Sequence, residues 1–273
     1  MAGLADKTIL ITGASRGIGK AIGLRASRAG ARVVVIGKTV APDPRLPGTV
    51  ASAVEEMQQA GGQALGCVCD IRDSDQVADV VTQAVARFGG IDVVVNNASA
   101  IHLSGTLSTP MKRFDLMHAV NVRGTFAMSQ AALPHLLQAP NPHILNLAPP
   151  LNFESRWFAP HLAYSLAKFG MSLCVLGMAE EFRPQGVAVN ALWPETAIAT
   201  AAVRNLLGGE AALRRCRKPE IMADAAYEIV CRPSRACTGN FFIDSQVLHE
   251  MGVTDLSGYA VDETAELLPD FFV

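Results

Sequence analysis

The chain has 273 residues, half of them apolar, and carries 23 Lys plus Arg against 25 Asp plus Glu for a formal net charge of −2. That length can bury one large α/β core, and the charge balance excludes a basic surface for nucleic acid or an anionic membrane, so any phosphate binding has to be local. Six cysteines without a CxxC pair and six histidines without ligand spacing exclude a zinc pattern, so no metal is expected and the thiols read as reduced. The opening MAGLADKTILITG holds too short an apolar run for a signal peptide, and no stretch has the ~18 uninterrupted apolar residues of a membrane span. These features predict a soluble, cytoplasmic protein without a membrane span.

In chain order, short apolar runs recur at Thr8 to Ile11, Arg32 to Ile36, Ala64 to Cys69, Ile91 to Val95, His143 to Leu147, Val187 to Leu192 and Asn240 to Ile243. They lack apolar/polar alternation, as strands covered on both faces of a parallel sheet do. Helical patterns lie between them at Gly17 to Ala29, Thr49 to Gln59, Ser74 to Phe88 and Met111 to Leu137, with a shorter one at Asp224 to Val230. This alternation predicts a single doubly wound parallel sheet, a Rossmann fold with helices on both faces. The three prolines of VAPDPRLPG, residues 40 to 48, predict a loop insertion. The chain reads as one domain, with a core over about residues 5 to 245 and a patternless tail over 246 to 273.

Directly after the first strand, Thr12-Gly13-Ala14-Ser15-Arg16-Gly17-Ile18-Gly19 runs into a helix. Glycine suits a tight turn and a close backbone approach to a pyrophosphate, and the helix start offers unpaired N–H groups to that anion. The spacing in TGASRGIG, with Asn96-Asn97-Ala98 after the fourth strand, Asn121 in a helix and Tyr164-Ser165-Leu166-Ala167-Lys168, resembles the short-chain dehydrogenase/reductase family over about residues 5 to 245. Within it, the segments IGKTVAPDPRLPGTV, NLAPPLN, VLGMAEEF and NALWPETAIATAA are most similar to the hydroxysteroid-dehydrogenase-like protein 2 branch.

The resemblance implies an oxidoreductase that interconverts a carbonyl and a secondary alcohol on an apolar, lipid- or steroid-like small molecule, in a homodimer or homotetramer. It assigns proton transfer to Tyr164 and Lys168, which share one helix face at i, i+4, with the ammonium and the nicotinamide charge expected to favour the phenolate. Lys168 would also hold the nicotinamide ribose, and Asn121 would anchor a water. Gly13, Ser15, Arg16, Gly17, Ile18 and Gly19 would form the cofactor loop; Asp70 and Ile71 would meet the adenine, Asn97 and Ala98 the ribose, and Thr196 the nicotinamide amide or the phosphates. The second strand ends Ile36-Gly37-Lys38-Thr39, without the carboxylate of an NAD site. Lys38 and Arg16 can pair with a 2′-phosphate, so NADP(H) is expected as the preferred cofactor, with NAD(H) possible.

One departure stands out. The family's serine near the end of the fifth strand, which polarises the carbonyl, is missing: Ala148, Pro149 and Leu151 are the residues at that place, and none donates a side-chain hydrogen bond. Asn152 either turns inward and supplies an amide donor or caps the following turn. With no donor, the same fold would serve as a nucleotide-binding sensor or scaffold. The stretch Ala197 to Leu207 reads as a lid or a fixed core helix, and Trp157, Phe158 and Trp193 as walls of an apolar cleft.

Overall fold

The computed structural model describes residues 3–43 and 46–273; Pro44 and Arg45 of the predicted insertion lie outside them. Seven parallel strands form one sheet in the order β3-β2-β1-β4-β5-β6-β7: β1 (Thr8–Thr12), β2 (Arg32–Gly37), β3 (Gln63–Val68), β4 (Val93–Asn96), β5 (His143–Asn146), β6 (Ala188–Trp193) and β7 (Phe241–Ile243). Successive side chains of a strand point to opposite faces, so Ile9 and Ile11 enter one core and Leu10 the other. The first core is closed by α1 (Gly17–Arg28), α2 (Val50–Gln59) and α9 (Glu220–Cys231). The second is closed by α3 (Ser74–Phe88), α5 (Gly124–Leu136) and α6 (Leu162–Glu181). Each Ile or Val removed from water stabilises the sheet by roughly 1.5–3 kcal/mol, which explains the uninterrupted apolar runs.

β1 pairs with β2 on one side and with β4 on the other. The strand order reverses there, and a crevice opens beyond the carboxyl ends of the strands. The predicted Met111 to Leu137 helix is broken into α4 (Met111–Met117), a π-helical turn His118–Arg123, and α5. Two close approaches fit this break: a Cβ on Gly124 would meet Ile71 Cδ1 at 2.6 Å, and one on Gly170 of α6 would meet Val122 Cγ2 at 2.5 Å. The predicted Ala197 to Leu207 helix is likewise divided, into α7 (Ala201–Leu206) and α8 (Gly209–Arg214). Gly208 at the break and Gly209 at the start of α8 have φ of 122° and 66°, where only glycine is unstrained.

Helix α10 (Asp244–Glu250) follows β7 without a break. Beyond it the chain returns across the lid region as a strap. Lys218 N donates to Tyr259 O at 2.6 Å, Val261 N to Cys216 O at 2.9 Å, and Leu268 N to Arg215 O at 2.8 Å, while Arg214 pairs with Asp262 at 2.6 Å. The strap has no periodic pattern because long-range backbone pairing holds it, which explains why its sequence reads as structureless.

Candidate active site

The switch-point crevice is a cleft of about 1290 Å³ lined by Gly13, Ser15, Arg16, Gly17, Ile18, Lys38, Asp70, Ile71, Asn97 and Ala98. Its glycine loop is tight. A Cβ on Gly13, where φ is 68°, would stand 3.0 Å from both Ala98 Cα and Asn97 Nδ2. Gly19 does not line the cleft: a Cβ there would strike Asn97 Nδ2 at 2.4 Å and Gly13 O at 2.8 Å, so it is the close-packing glycine between α1 and the loop after β4. Asn97 Nδ2 donates to Thr12 O at 2.8 Å and Gly13 O at 3.2 Å, while Thr12 Oγ1 accepts from the Asn97 and Ala98 amides at 3.0 Å each. Asn97 therefore shapes the loop with its side chain. Helix α1 starts without a side-chain cap, which leaves its first N–H groups facing the cleft for an anion.

At the rim, the Lys38 ammonium lies 3.5 Å from Asp70, and Arg72 grips the same carboxylate at 2.5 Å. These hydrogen bonds to Arg72 hold Asp70 well below the usual carboxylate range, against a smaller opposing effect of burial. Arg72 is a cation that the motif reading missed, although its position two residues past Asp70 is plain in the sequence. Arg16 Nη2 donates to Thr39 Oγ1 at 2.8 Å and to Gly48 O at 3.0 Å, so this guanidinium also ties down the loop after β2.

Tyr164 and Lys168 lie one turn apart near the start of α6, both buried. By length and composition α6 is long and apolar enough to cross a membrane, but most of its surface is covered by this fold. Lys168 Nζ donates to Leu147 O at 2.8 Å, lies 3.6 Å from Met171 Sδ and stands 5.0 Å from the centroid of Trp193, a cation–π geometry. Burial pushes its ammonium down to about 7, with Asp270 opposing. Burial, and then the charge of Asp270, push the Tyr164 phenol upward. This corrects the expectation that the ammonium would favour the phenolate: in the protein alone, desolvation wins. The Tyr164 hydroxyl has no hydrogen-bond partner among the described residues.

Asn121 sits in the π-helical turn, fully buried, and both of its side-chain groups bind Ala100: Oδ1 accepts from the amide at 2.7 Å and Nδ2 donates to the carbonyl at 3.1 Å. Its side chain is a clamp on the loop after β4. Ala148 is buried beyond β5 and Pro149 O accepts from Ser172 Oγ at 2.7 Å. Asn152 Oδ1 accepts from Glu154 N at 3.1 Å, so of its two readings the turn cap is the one the geometry favours. Thr196 Oγ1 is buried without a hydrogen-bond partner among the described residues, as expected of a group reserved for a ligand.

The strap supplies what sequence reasoning left out. Ala197 N donates to Leu268 O at 2.8 Å and Asp270 N to Glu195 O at 3.0 Å, while Trp193 Nε1 donates to Phe271 O at 2.8 Å. Phe272 is fully buried against Tyr164, Trp157, Phe169 and Trp193. Burial first, then the charge of Asp244, push the Asp270 carboxyl up to about 7; Asp244, itself buried, is pushed up to about 6. The paired aromatics of Pro269-Asp270-Phe271-Phe272 were the one visible signal.

The family model described as short chain dehydrogenase matches residues 7–210. Hydroxysteroid dehydrogenase-like protein 2 of Danio rerio is 58% identical over 270 residues, 99% of this chain, and the chain spans 64% of that relative's length. A crystal structure of a short chain dehydrogenase from Mycobacterium thermoresistibile is 52% identical with a TM-score of 0.94, covering 99% of this chain and 96% of that one. A 7α-hydroxysteroid dehydrogenase complexed with NADH and 7-oxo glycochenodeoxycholic acid is 28% identical with a TM-score of 0.75, over 88% and 93% of the two chains. With its parallel sheet, its glycine loop and its Tyr164–Lys168 turn, the chain belongs to the short-chain dehydrogenase family.

Proposed function

We propose that this protein is an NADP(H)-dependent oxidoreductase that interconverts a carbonyl and a secondary alcohol on an apolar substrate. The observation that carries the reading is the buried Tyr164 hydroxyl, without a hydrogen-bond partner among the described residues and one helical turn from Lys168, in a fold whose switch-point cleft is lined by the glycine loop. A bound nicotinamide would supply or accept the hydride. A phenol held neutral by burial is suited to give its proton to the oxygen of a carbonyl being reduced. Lys168, with its ammonium brought down to about 7, is poised to exchange a proton near neutrality while it stays fixed on Leu147 O. The unpartnered, buried Thr196 Oγ1 supports a contact with the nicotinamide amide or a phosphate.

The cofactor preference rests on the rim. Arg16, Lys38 and Arg72 gather three cations near the Asp70 carboxylate, with Asp43 also close to Arg16, and such a cluster favours a 2′-phosphate. The NADH bound by the 7α-hydroxysteroid dehydrogenase means that fold alone does not decide this point. The walls of Trp157, Phe169 and Trp193 favour an apolar substrate. Exposed Phe126, Leu166, Leu173 and Leu176 on α5 and α6 favour a homo-oligomer.

Fluorescence titration with NADPH and NADH, followed by NADPH turnover against a panel of ketones with Tyr164→Phe as control, tests the reading. We expect tighter NADPH binding and turnover that the control abolishes. Ala148, in place of a hydrogen-bond donor, favours a second reading as a cofactor-binding sensor. Tight NADPH binding with no ketone turned over at saturation would select it.

A further inference from the structure

Tyr164, where a substrate carbonyl has to arrive, is 4% exposed and packed over by the protein's own aromatic rings. The Phe272 ring lies 6.4 Å from the Tyr164 ring and the Phe271 ring 6.5 Å from it. Around Phe272 stand Trp157 and Trp193 at 5.9 Å each, Phe169 at 5.4 Å and His161 at 6.3 Å. Phe272 is 0% exposed, yet its backbone has φ of 73°, and Asp6 is the other described non-glycine residue with a positive φ. A bulky side chain in the left-handed region costs on the order of 1–2 kcal/mol, so the ring is held in its nest against backbone strain. The segment that carries it is attached to the body by two hydrogen bonds at Leu268 and one each at Asp270 and Phe271, an isolated antiparallel bridge between Thr196 and Pro269 and not a strand ladder.

We propose that Phe272 is the specificity-determining residue of the site: it occupies the substrate's place, and the protein accepts apolar carbonyl compounds whose hydrocarbon body displaces the Phe272 ring from this aromatic nest. The inference rests on the oxidoreductase reading for the identity of the ligand. The nest presents mostly ring faces and edges, with the Lys168 ammonium over Trp193 already donating to Leu147 O, so the body it takes is a cyclic or branched hydrocarbon, with the carbonyl oxygen directed to Tyr164. A small ketone gains too little buried area to compete with a ring that already fills the space, whereas a bulky one recovers about 25 cal/mol for each Å² it buries. Ligand and strap then exclude each other.

Two measurements test this without depending on turnover. In the first, hydrogen exchange of the intact protein with NADP+ is followed at the Leu268 and Asp270 amides with and without cyclododecanone. We expect exchange there to accelerate at least tenfold with cyclododecanone and to stay unchanged with butanone. In the second, calorimetric titration of cyclododecanone into Phe272→Ala, and into Phe272→Leu as the milder change, should show affinity at least tenfold tighter than the parent, with NADPH affinity unaltered. Strap amides that stay protected while cyclododecanone binds, or affinities that do not respond to either substitution, would overturn the proposal and leave Phe272 a fixed wall. Failure to turn over any ketone, with strap displacement observed, would remove the catalytic reading and keep this one.

Discussion

Asp70 lines the cleft and Asp270 lies on the strap, and their surroundings drive the same carboxyl group in opposite directions. Asp70, on the rim with Lys38 65% exposed and Arg72 44% exposed beside it, is held low by hydrogen bonds from Arg72. Asp270, on the strap beneath the aromatic nest, is pushed up to about 7 by burial. Where water is near, neighbouring charges set the balance; where it is excluded, desolvation sets it. The rim is thus suited to reading a cofactor by charge. The nest is suited to moving a proton, because Lys168, Tyr164 and Asp270 all have pKa values displaced by burial.

The largest effects should come from the nest. Tyr164→Phe removes the hydroxyl proposed to give its proton to the substrate, and steady-state kinetics should show kcat lower by a factor on the order of 10²–10⁴ with NADPH affinity intact. Lys168→Met should lower kcat and also weaken NADPH binding, which fluorescence titration separates. It carries a stability signature as well. Because the folded Lys168 ammonium lies below its ordinary value, the unfolded chain binds more protons between about pH 7 and 10.5, so the parent gains stability as pH rises through that window. The Tm of Lys168→Met relative to the parent should therefore fall from pH 7 to pH 10. A constant difference would place the ammonium in water and erase the contrast with the rim.

How much of this was legible in the sequence follows the same division. The strands, the glycine loop and the Tyr164–Lys168 turn are written in local patterns, either apolar runs covered on both faces or residues at fixed spacing, and the structure has them where those patterns lie. The hydrogen-bond partners of Asn121 and Asn97 were not legible because a side chain's partner is a tertiary fact: Ala100 takes both groups of one, and Thr12 and Gly13 carbonyls accept from the other. The strap was missed outright. Asp270 and Phe272 act through contacts with Glu195, Trp193 and Tyr164, far away in the chain, and no periodicity reports such contacts.

Rim effects should be smaller and sensitive to salt. Lys38→Ala should weaken NADPH binding about tenfold and leave NADH binding unchanged, as expected for one exposed charge-assisted contact, and added salt should shrink the difference because exposed charges are screened. Arg72→Ala should act similarly and also release Asp70 toward the ordinary carboxylate range. A loss on the scale of Tyr164→Phe at either position would mean that the rim is as dry as the nest.

Asp270→Asn probes the link between strap and nest with a change in pH dependence larger than its change in rate. The Asp270 charge raises the pKa of both Tyr164 and Lys168, and its removal lowers both. Alcohol oxidation needs the phenolate, so the alkaline rise of its rate should move to lower pH in Asp270→Asn. The ketone-reduction limb, which needs the phenol, should move the same way. Profiles of kcat/KM that superimpose on the parent's would show that the Asp270 carboxylate does not reach the pair.

The smallest effect is expected at Asn152, on the loop after β5. Its Oδ1 accepts from the Glu154 amide, so Asn152→Ala removes one exposed hydrogen bond, and Tm should drop by the equivalent of about 0.5–1.5 kcal/mol at most. Activity should change by less than about twofold, because a group spent on its own turn contributes nothing to a carbonyl held beside Tyr164. If Asn152 instead supplied the donor that Ala148 lacks, its loss would lower kcat on the order of a hundredfold, the usual effect of deleting one transition-state hydrogen bond. Ketone reduction by Asn152→Ala at saturating NADPH separates the two, with the thermal melt as the control that the turn has been altered. A hundredfold fall in kcat would mean that the loop reorganises when substrate enters and that polarisation of the carbonyl is shared; unchanged turnover leaves it to the Tyr164 hydroxyl.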